Sequence, residues 1–351
     1  MAGDSGLHAA EDMARQARES VQRGNLGDAE GQLLRAVELA PKDPRYPAAL
    51  ATVFLRGGRH SLAAVYAQLA AMLAPNEDRY QRVLGAIWEA AGDTGLAREA
   101  YLHAARTNPS SERSWLALAR VEREGGHYGA AEGYARRALE LAPQKPEPLV
   151  ELGTILEHTL HLAEALDLLS GALLLAPNDP TALYTLGCVQ AELGRFREAR
   201  ATLGRAVSLI PANAVWLVSL ARVHWALGER DSAKALLKRA KALPGTDGRD
   251  LDRVFAAPFE REASGTVAVT PTTDPAAAMP ILEHAAASLP ELEAAVKAGN
   301  ADPYTYSQLS LALTRAGRTP EALDAAREAE HLRTVRRAAT KGGIGPARIR
   351  P

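Results

Sequence analysis

Apolar residues recur along this chain in fixed register. Leu50, Leu84, Leu118, Leu152, Leu186 and Leu220 stand 34 residues apart, and Leu309 falls in the same column after an interruption. Two further columns hold only alanine: Ala29, Ala63, Ala97, Ala131, Ala165, Ala199, Ala233 and Ala322, and Ala36, Ala70, Ala104, Ala138, Ala172, Ala206, Ala240 and Ala329. A chain that is merely rich in alanine does not fill two columns over eight units. The pattern implies that two helices cross where only a methyl group fits, and a larger side chain there would cost about 1–3 kcal/mol through overpacking.

The punctuation between apolar runs has the same period. Pro41, Pro75, Pro109, Pro143, Pro177 and Pro211 each stop a helix. Gly24, Gly58, Gly92, Gly126, Gly194, Gly228 and Gly317 end the first helix of each unit and permit the turn into the second. The fifth unit has Leu160 in that column, so its turn is expected to differ. Each unit therefore reads as helix, turn, helix, with starts at Ala10, Pro44, Asp78, Glu112, Pro146, Pro180, Ala214 and Pro303. No unit can bury its apolar face alone, so neighbours must stack into one continuous core.

This 34-residue unit, with its Leu, Gly, Ala and Pro columns, resembles the tetratricopeptide repeat over residues 10–245 and 303–334. The resemblance implies an all-α fold, a right-handed α-solenoid of stacked antiparallel helix pairs, whose work is to hold another protein. The domain reading is an N-terminal extension (1–9), a seven-repeat array (10–245), an acidic linker (246–280), a degenerate helical segment with an eighth repeat (281–334) and a basic tail (335–351). Within the linker, Leu251, Val254 and Phe255 have the spacing of a short amphipathic helix. From Arg333 onward the chain reads as a frayed helix running into a tail that carries no acid. Gln16 and Ala17 make the first repeat atypical, as an N-terminal cap requires.

The resemblance also implies that repeat positions 2, 5, 6, 9, 12 and 13 line a concave groove. In repeats one to four these columns hold Arg15, Arg18, Arg45, Arg56, Arg79, Arg82, Arg113, Arg120 and Arg123, against only Glu11, Glu89 and Glu124. Arg45, Arg79 and Arg113 form a ladder of like charges, an arrangement that favours an anionic partner. Repeats five and six reverse the sign with Glu147, Glu151, Glu157 and Glu192, and Tyr184 and Trp225 are candidate aromatic anchors beyond them. The expected partner is another protein presenting an acidic or extended segment. No repeat has the Lys at position 5 and Asn at position 9 with which co-chaperone members of the family clamp a carboxylate. An intramolecular ligand is also conceivable, because residues 246–302 hold ten acids and four bases and residues 250–262 include Phe255 and Phe259. The competing expectation is that this segment caps repeat seven.

Composition narrows the alternatives. A net charge of −1 and a 5% aromatic content disfavour a nucleic-acid partner, although an RNA-binding helical repeat is the second reading. A third is a non-catalytic repeat subunit of a larger enzyme, assembly or secretion complex. The longest uncharged stretch, His60 to Asn76, is too short and too mixed to span a bilayer. With one cysteine and no basic, apolar leader, the chain reads as cytoplasmic. Cys188 reads as a packed thiol, and His158, His161, Glu157 and Glu164 straddle a turn without converging on a metal. No phosphate loop or nucleophile motif is present, so no catalytic, cofactor or metal site is expected.

Overall fold

A computed structural model of the chain describes residues 2–244, 288–299 and 301–341. Among them the only regular structure is helical. Fourteen helices follow one another first: α1 (Ala2–Gln22), α2 (Leu26–Leu39), α3 (Arg45–Arg56), α4 (His60–Leu73), α5 (Asp78–Ala91), α6 (Thr94–Thr107), α7 (Glu112–Glu124), α8 (Tyr128–Leu141), α9 (Pro146–His158), α10 (Leu162–Leu175), α11 (Pro180–Glu192), α12 (Phe196–Leu209), α13 (Ala214–Ala226) and α14 (Arg230–Lys241). Three more close the described chain: α15 (Leu289–Lys297), α16 (Pro303–Arg315) and α17 (Thr319–Lys341). No helix among the described residues is long and apolar enough to cross a membrane.

Local rules account for these boundaries. At each of the periodic prolines the ring crowds the backbone of the residue before it and disfavours the helical region there. Ala40, Ala74, Asn108, Ala142, Ala176 and Ile210 accordingly leave the helix at φ between −142° and −125°. Within each pair the turn residue adopts positive φ, from Gly24 at +83° to Gly317 at +76°. The fifth turn corrects the expectation from sequence. Leu160 takes φ +62° and reproduces its neighbours' hydrogen bonds, with Leu160 N donating to Glu157 O and His161 N to Leu156 O. Packing of the flanking helices holds the turn, so a leucine is forced into the conformation that glycine adopts freely.

The chain divides within α7 into two compact units, Met1–Val121 with Met279–Pro351, and Glu122–Ala278. In the first, the pairs α1–α2, α3–α4 and α5–α6 stack through α2 on α3 and α4 on α5. In the second, α8 packs on α9, and the pairs α9–α10, α11–α12 and α13–α14 stack in the same way. Both alanine columns, sixteen residues, are fully buried at 0% exposure. The helix crossings are equally tight at position 8. A Cβ on Gly187 would lie 2.5 Å from Leu203 Cγ, and one on Gly153 would lie 2.7 Å from Leu169 Cγ.

The eighth helix pair belongs to the first unit, where α16 and α17 both pack on α4. Helix α17 continues to Lys341, beyond the frayed end read from sequence at Arg333. The amphipathic segment at Leu251, Val254 and Phe255 and the candidate ligand 250–262 lie outside the described residues.

Candidate binding groove

In the first unit, α1 and α3 wall a concave pocket of about 640 Å3. All six groove columns of repeat one face it, namely Glu11, Ala14, Arg15, Arg18, Val21 and Gln22, and α3 contributes Arg45, Ala49, Thr52 and Arg56. These positions share a face because helical spacing places residues three or four apart on one side. In the second unit, α9 and α11 wall a smaller pocket of about 490 Å3. Thr154, Glu157, His158, Tyr184, Thr185, Cys188 and Glu192 come from the same columns, and Tyr128 and the exposed Leu160 complete it.

The arginines are not an unbalanced ladder. Arg45 Nη2 lies 2.6 Å from Asp43 and 3.6 Å from Glu11, Arg79 Nε lies 2.6 Å from Glu77, and Arg113 Nε lies 3.9 Å from Glu112. Arg15 pairs with Asp12 at 2.6 Å and Arg82 with Asp78 at 3.0 Å. Arg120 donates twice to Glu89, at 3.1 and 2.9 Å, and Arg123 Nε pairs with Glu151 at 2.7 Å. The charge count over groove columns missed most of these acids because they sit beside the columns: Asp12 within α1, Asp78 and Glu112 at the start of α5 and α7, and Asp43 and Glu77 in the loops before α3 and α5. Hydrogen bonding to Arg45 holds the Asp43 carboxyl below its ordinary range.

Arg18 and Arg56 are the exceptions among the nine, with no acid partner among the described residues. Both face the first pocket. Tyr46 also lines it, 3% exposed, and its hydroxyl is buried without a hydrogen-bond partner among the described residues. A buried hydroxyl left in that state costs roughly 1–3 kcal/mol. Sequence reasoning missed Tyr46, which occupies position 3, outside the groove columns.

The aromatic anchors are engaged by their own chain. The Tyr184 ring stacks on Trp216 at 5.0 Å, and its hydroxyl lies 3.1 Å from Ser219 Oγ. The Arg230 guanidinium covers the Trp225 ring at 3.7 Å. Burial pushes the Cys188 thiol up to about 12, so it stays protonated. His158 is held above its ordinary value, chiefly by its hydrogen bond to Glu157, and its Nδ1–H also reaches Thr154 O at 2.9 Å. His161 instead meets Thr159 Oγ1 at 3.0 Å, so the two histidines do not converge. No group of three metal-ligating side chains occurs among the described residues.

The sequence matches two tetratricopeptide-repeat patterns, one over residues 15–78, 89–146 and 116–182 and the other over 161–209 and 190–249. No curated protein sequence matches it. Among solved structures, the chain is similar to a tetratricopeptide repeat protein from Parabacteroides merdae, with 16% identity and a TM-score of 0.57 over 72% of this chain and 99% of that one. It is also similar to a chain of the APC/C hetero-tetramer Cut9–Hcn1, with 20% identity and a TM-score of 0.56. That match covers 66% of this chain and 48% of the other, so this chain spans about half its length. At these identities the likeness shows the fold alone.

Proposed function

The chain belongs to the tetratricopeptide-repeat family, an interaction-repeat fold, and from that premise we propose that it is a non-catalytic scaffold that holds an acidic, extended protein segment against α1 and α3. One observation carries the reading. Of nine groove arginines, the two without an acid partner among the described residues share a pocket that Tyr46 also lines, and the Tyr46 hydroxyl is buried behind it with no partner among those residues. A carboxylate entering there would accept from both guanidinium groups, and from the tyrosine once a shift of its ring brings the hydroxyl to the pocket. Charge-assisted bonds of this kind are about twice as strong as neutral ones. The apolar floor, Ala14, Ala17, Val21 and Val53, suits a segment that alternates acids with small apolar side chains. A cytoplasmic setting belongs to the same reading.

The test is a fluorescein-labelled peptide of alternating glutamate and alanine, titrated by polarisation at low and high salt. Arg18→Ser with Arg56→Ser is expected to weaken binding at least about tenfold and to flatten its salt dependence. Tyr46→Phe should weaken it less. Arg113→Ser should leave it unchanged, because Arg113 lies outside the pocket. Equal affinity of the double variant and the unaltered chain would overturn the proposal.

A further inference from the structure

Helix α4 is buried in a way no single face of an array explains. Ten of its fourteen residues are buried, Ser61 to Gln68 without interruption and then Ala70 and Ala71. Of the corresponding helices, α2, α8 and α10 each bury three, α12 four and α6 six. A second helix of a repeat normally hides one stripe and leaves the rest to solvent. The whole of α4 carries no Asp, Glu, Lys or Arg, so no charge has to be desolvated when its sides are covered.

That neighbour is the C-terminal helix pair. In each of the seven array repeats, groove positions 9 and 12 stay at least partly open: Arg18 and Val21, Thr52 and Leu55, and so on to Arg222 and Trp225. In the eighth repeat the same positions are Leu311 and Thr314, 5% and 1% exposed. Position 5, Ser307, is fully buried beside them. Ser307, Ser310 and Thr314 turn their hydroxyls back onto the carbonyls of Pro303, Ser307 and Ser310, at 2.9, 2.8 and 2.7 Å. The face that remains is small and smooth, able to take an alanine-rich helix closely.

Charges fix the register of the contact. The Glu330 carboxylate accepts from Ser61 N, one of the free donors in the first turn of α4. Arg333 donates to Ser61 Oγ at 2.5 Å and to Ser307 Oγ at 3.0 Å, pairs with Asp93, and lies 5.9 Å from the Trp88 ring centre. Arg333 and Asp93 are mostly buried, so neither has water to replace its partner.

We propose that the eighth repeat is a second binding module, already carrying its ligand: its groove face grips α4, the uncharged second helix of repeat two. The partner class it fits is an alanine-rich helix without charges, whose first turn offers free N–H groups to Glu330 and a hydroxyl to Arg333. The grip closes the C-terminal repeat onto the N-terminal ones. Its release would expose α4 and empty the module for a helix of the same kind, including α4 of a second copy.

The test keeps the full chain and inserts a site for a sequence-specific protease between Gly265 and Thr266. After cleavage, the C-terminal fragment is expected to co-elute with the N-terminal one in gel filtration. Leu311→Lys and Arg333→Glu should each weaken retention at least about tenfold, and the exposed control Asp324→Lys should not. In uncut Arg333→Gln, hydrogen exchange should quicken selectively in α4, α16 and α17 relative to α3 and α5. A fragment that leaves the unaltered chain on cleavage overturns the proposal. So does retention of the Leu311→Lys fragment, or an exchange change that is uniform over α3 to α5.

Discussion

Leu160 stores backbone strain in the fifth turn. A residue with a Cβ in the left-handed region costs about 1–2 kcal/mol, and Leu160 is 63% exposed, so little packing is lost on removing its side chain. Leu160→Gly should therefore stabilise the chain by up to about 1 kcal/mol, the gain being trimmed by the freedom glycine adds to the unfolded state. A rise in the denaturant midpoint at constant slope would show it; no change would place the turn's stability elsewhere. At Gly187 the reverse holds. Its α-carbon faces fully buried Leu203 with no room for a methyl, so Gly187→Ala should destabilise by about 1–3 kcal/mol despite alanine's better helix propensity.

At the scale of elements, α5 is tied to the next repeat through its first residue. Asp78 accepts from Ser111 Oγ at 2.7 Å, Ser114 Oγ at 3.2 Å, Asn108 Nδ2 at 3.3 Å and Arg82 Nε at 3.0 Å. Burial alone would raise its pKa, but the donors outweigh burial and hold it below the ordinary carboxylate range. A depressed folded value contributes stability that is present above the unfolded pKa, near 3.9, and is lost as pH falls through the folded one. Asp78→Asn should accordingly destabilise the chain at pH 7, and the difference from the unaltered chain should shrink below about pH 4. A pH-independent difference would mean that the hydrogen-bond geometry matters and the charge does not.

Across the whole molecule, stability should be uneven in a way burial foretells. Helix α4 is covered on several sides, whereas α14 buries only Ala233 and Ala240 and carries four lysine and arginine residues in its last eight positions. Opening a helix costs the contacts it must give up. Amides of α14 should therefore exchange at least about tenfold faster than those of α4 under native conditions. Equal protection would indicate that the chain opens only globally.

The sequence by itself determined the repeat, its period, the helix ends at the periodic glycines and prolines and the buried alanine columns, because each follows from a local rule. It did not determine the outer ends, since α1 begins at Ala2 and α17 runs to Lys341. A proline just past a helix's last turn disfavours helical backbone at the residue before it, and close crossings admit only a methyl. Helical spacing also put Arg18 and Arg56 in groove columns. Tertiary structure decided what those columns meet. Asp43, Glu77 and Glu112 lie against Arg45, Arg79 and Arg113 from positions outside the columns, and only the fold pairs them, leaving Arg18 and Arg56 without an acid partner among the described residues. It likewise decided the fate of His60 to Asn76. That stretch was legible as uncharged, but the C-terminal helices that pack on α4 were not, and Arg333, 272 residues beyond Ser61, donates to its hydroxyl. Contacts between segments so distant leave no period in the sequence, since burial depends on which surfaces finally meet.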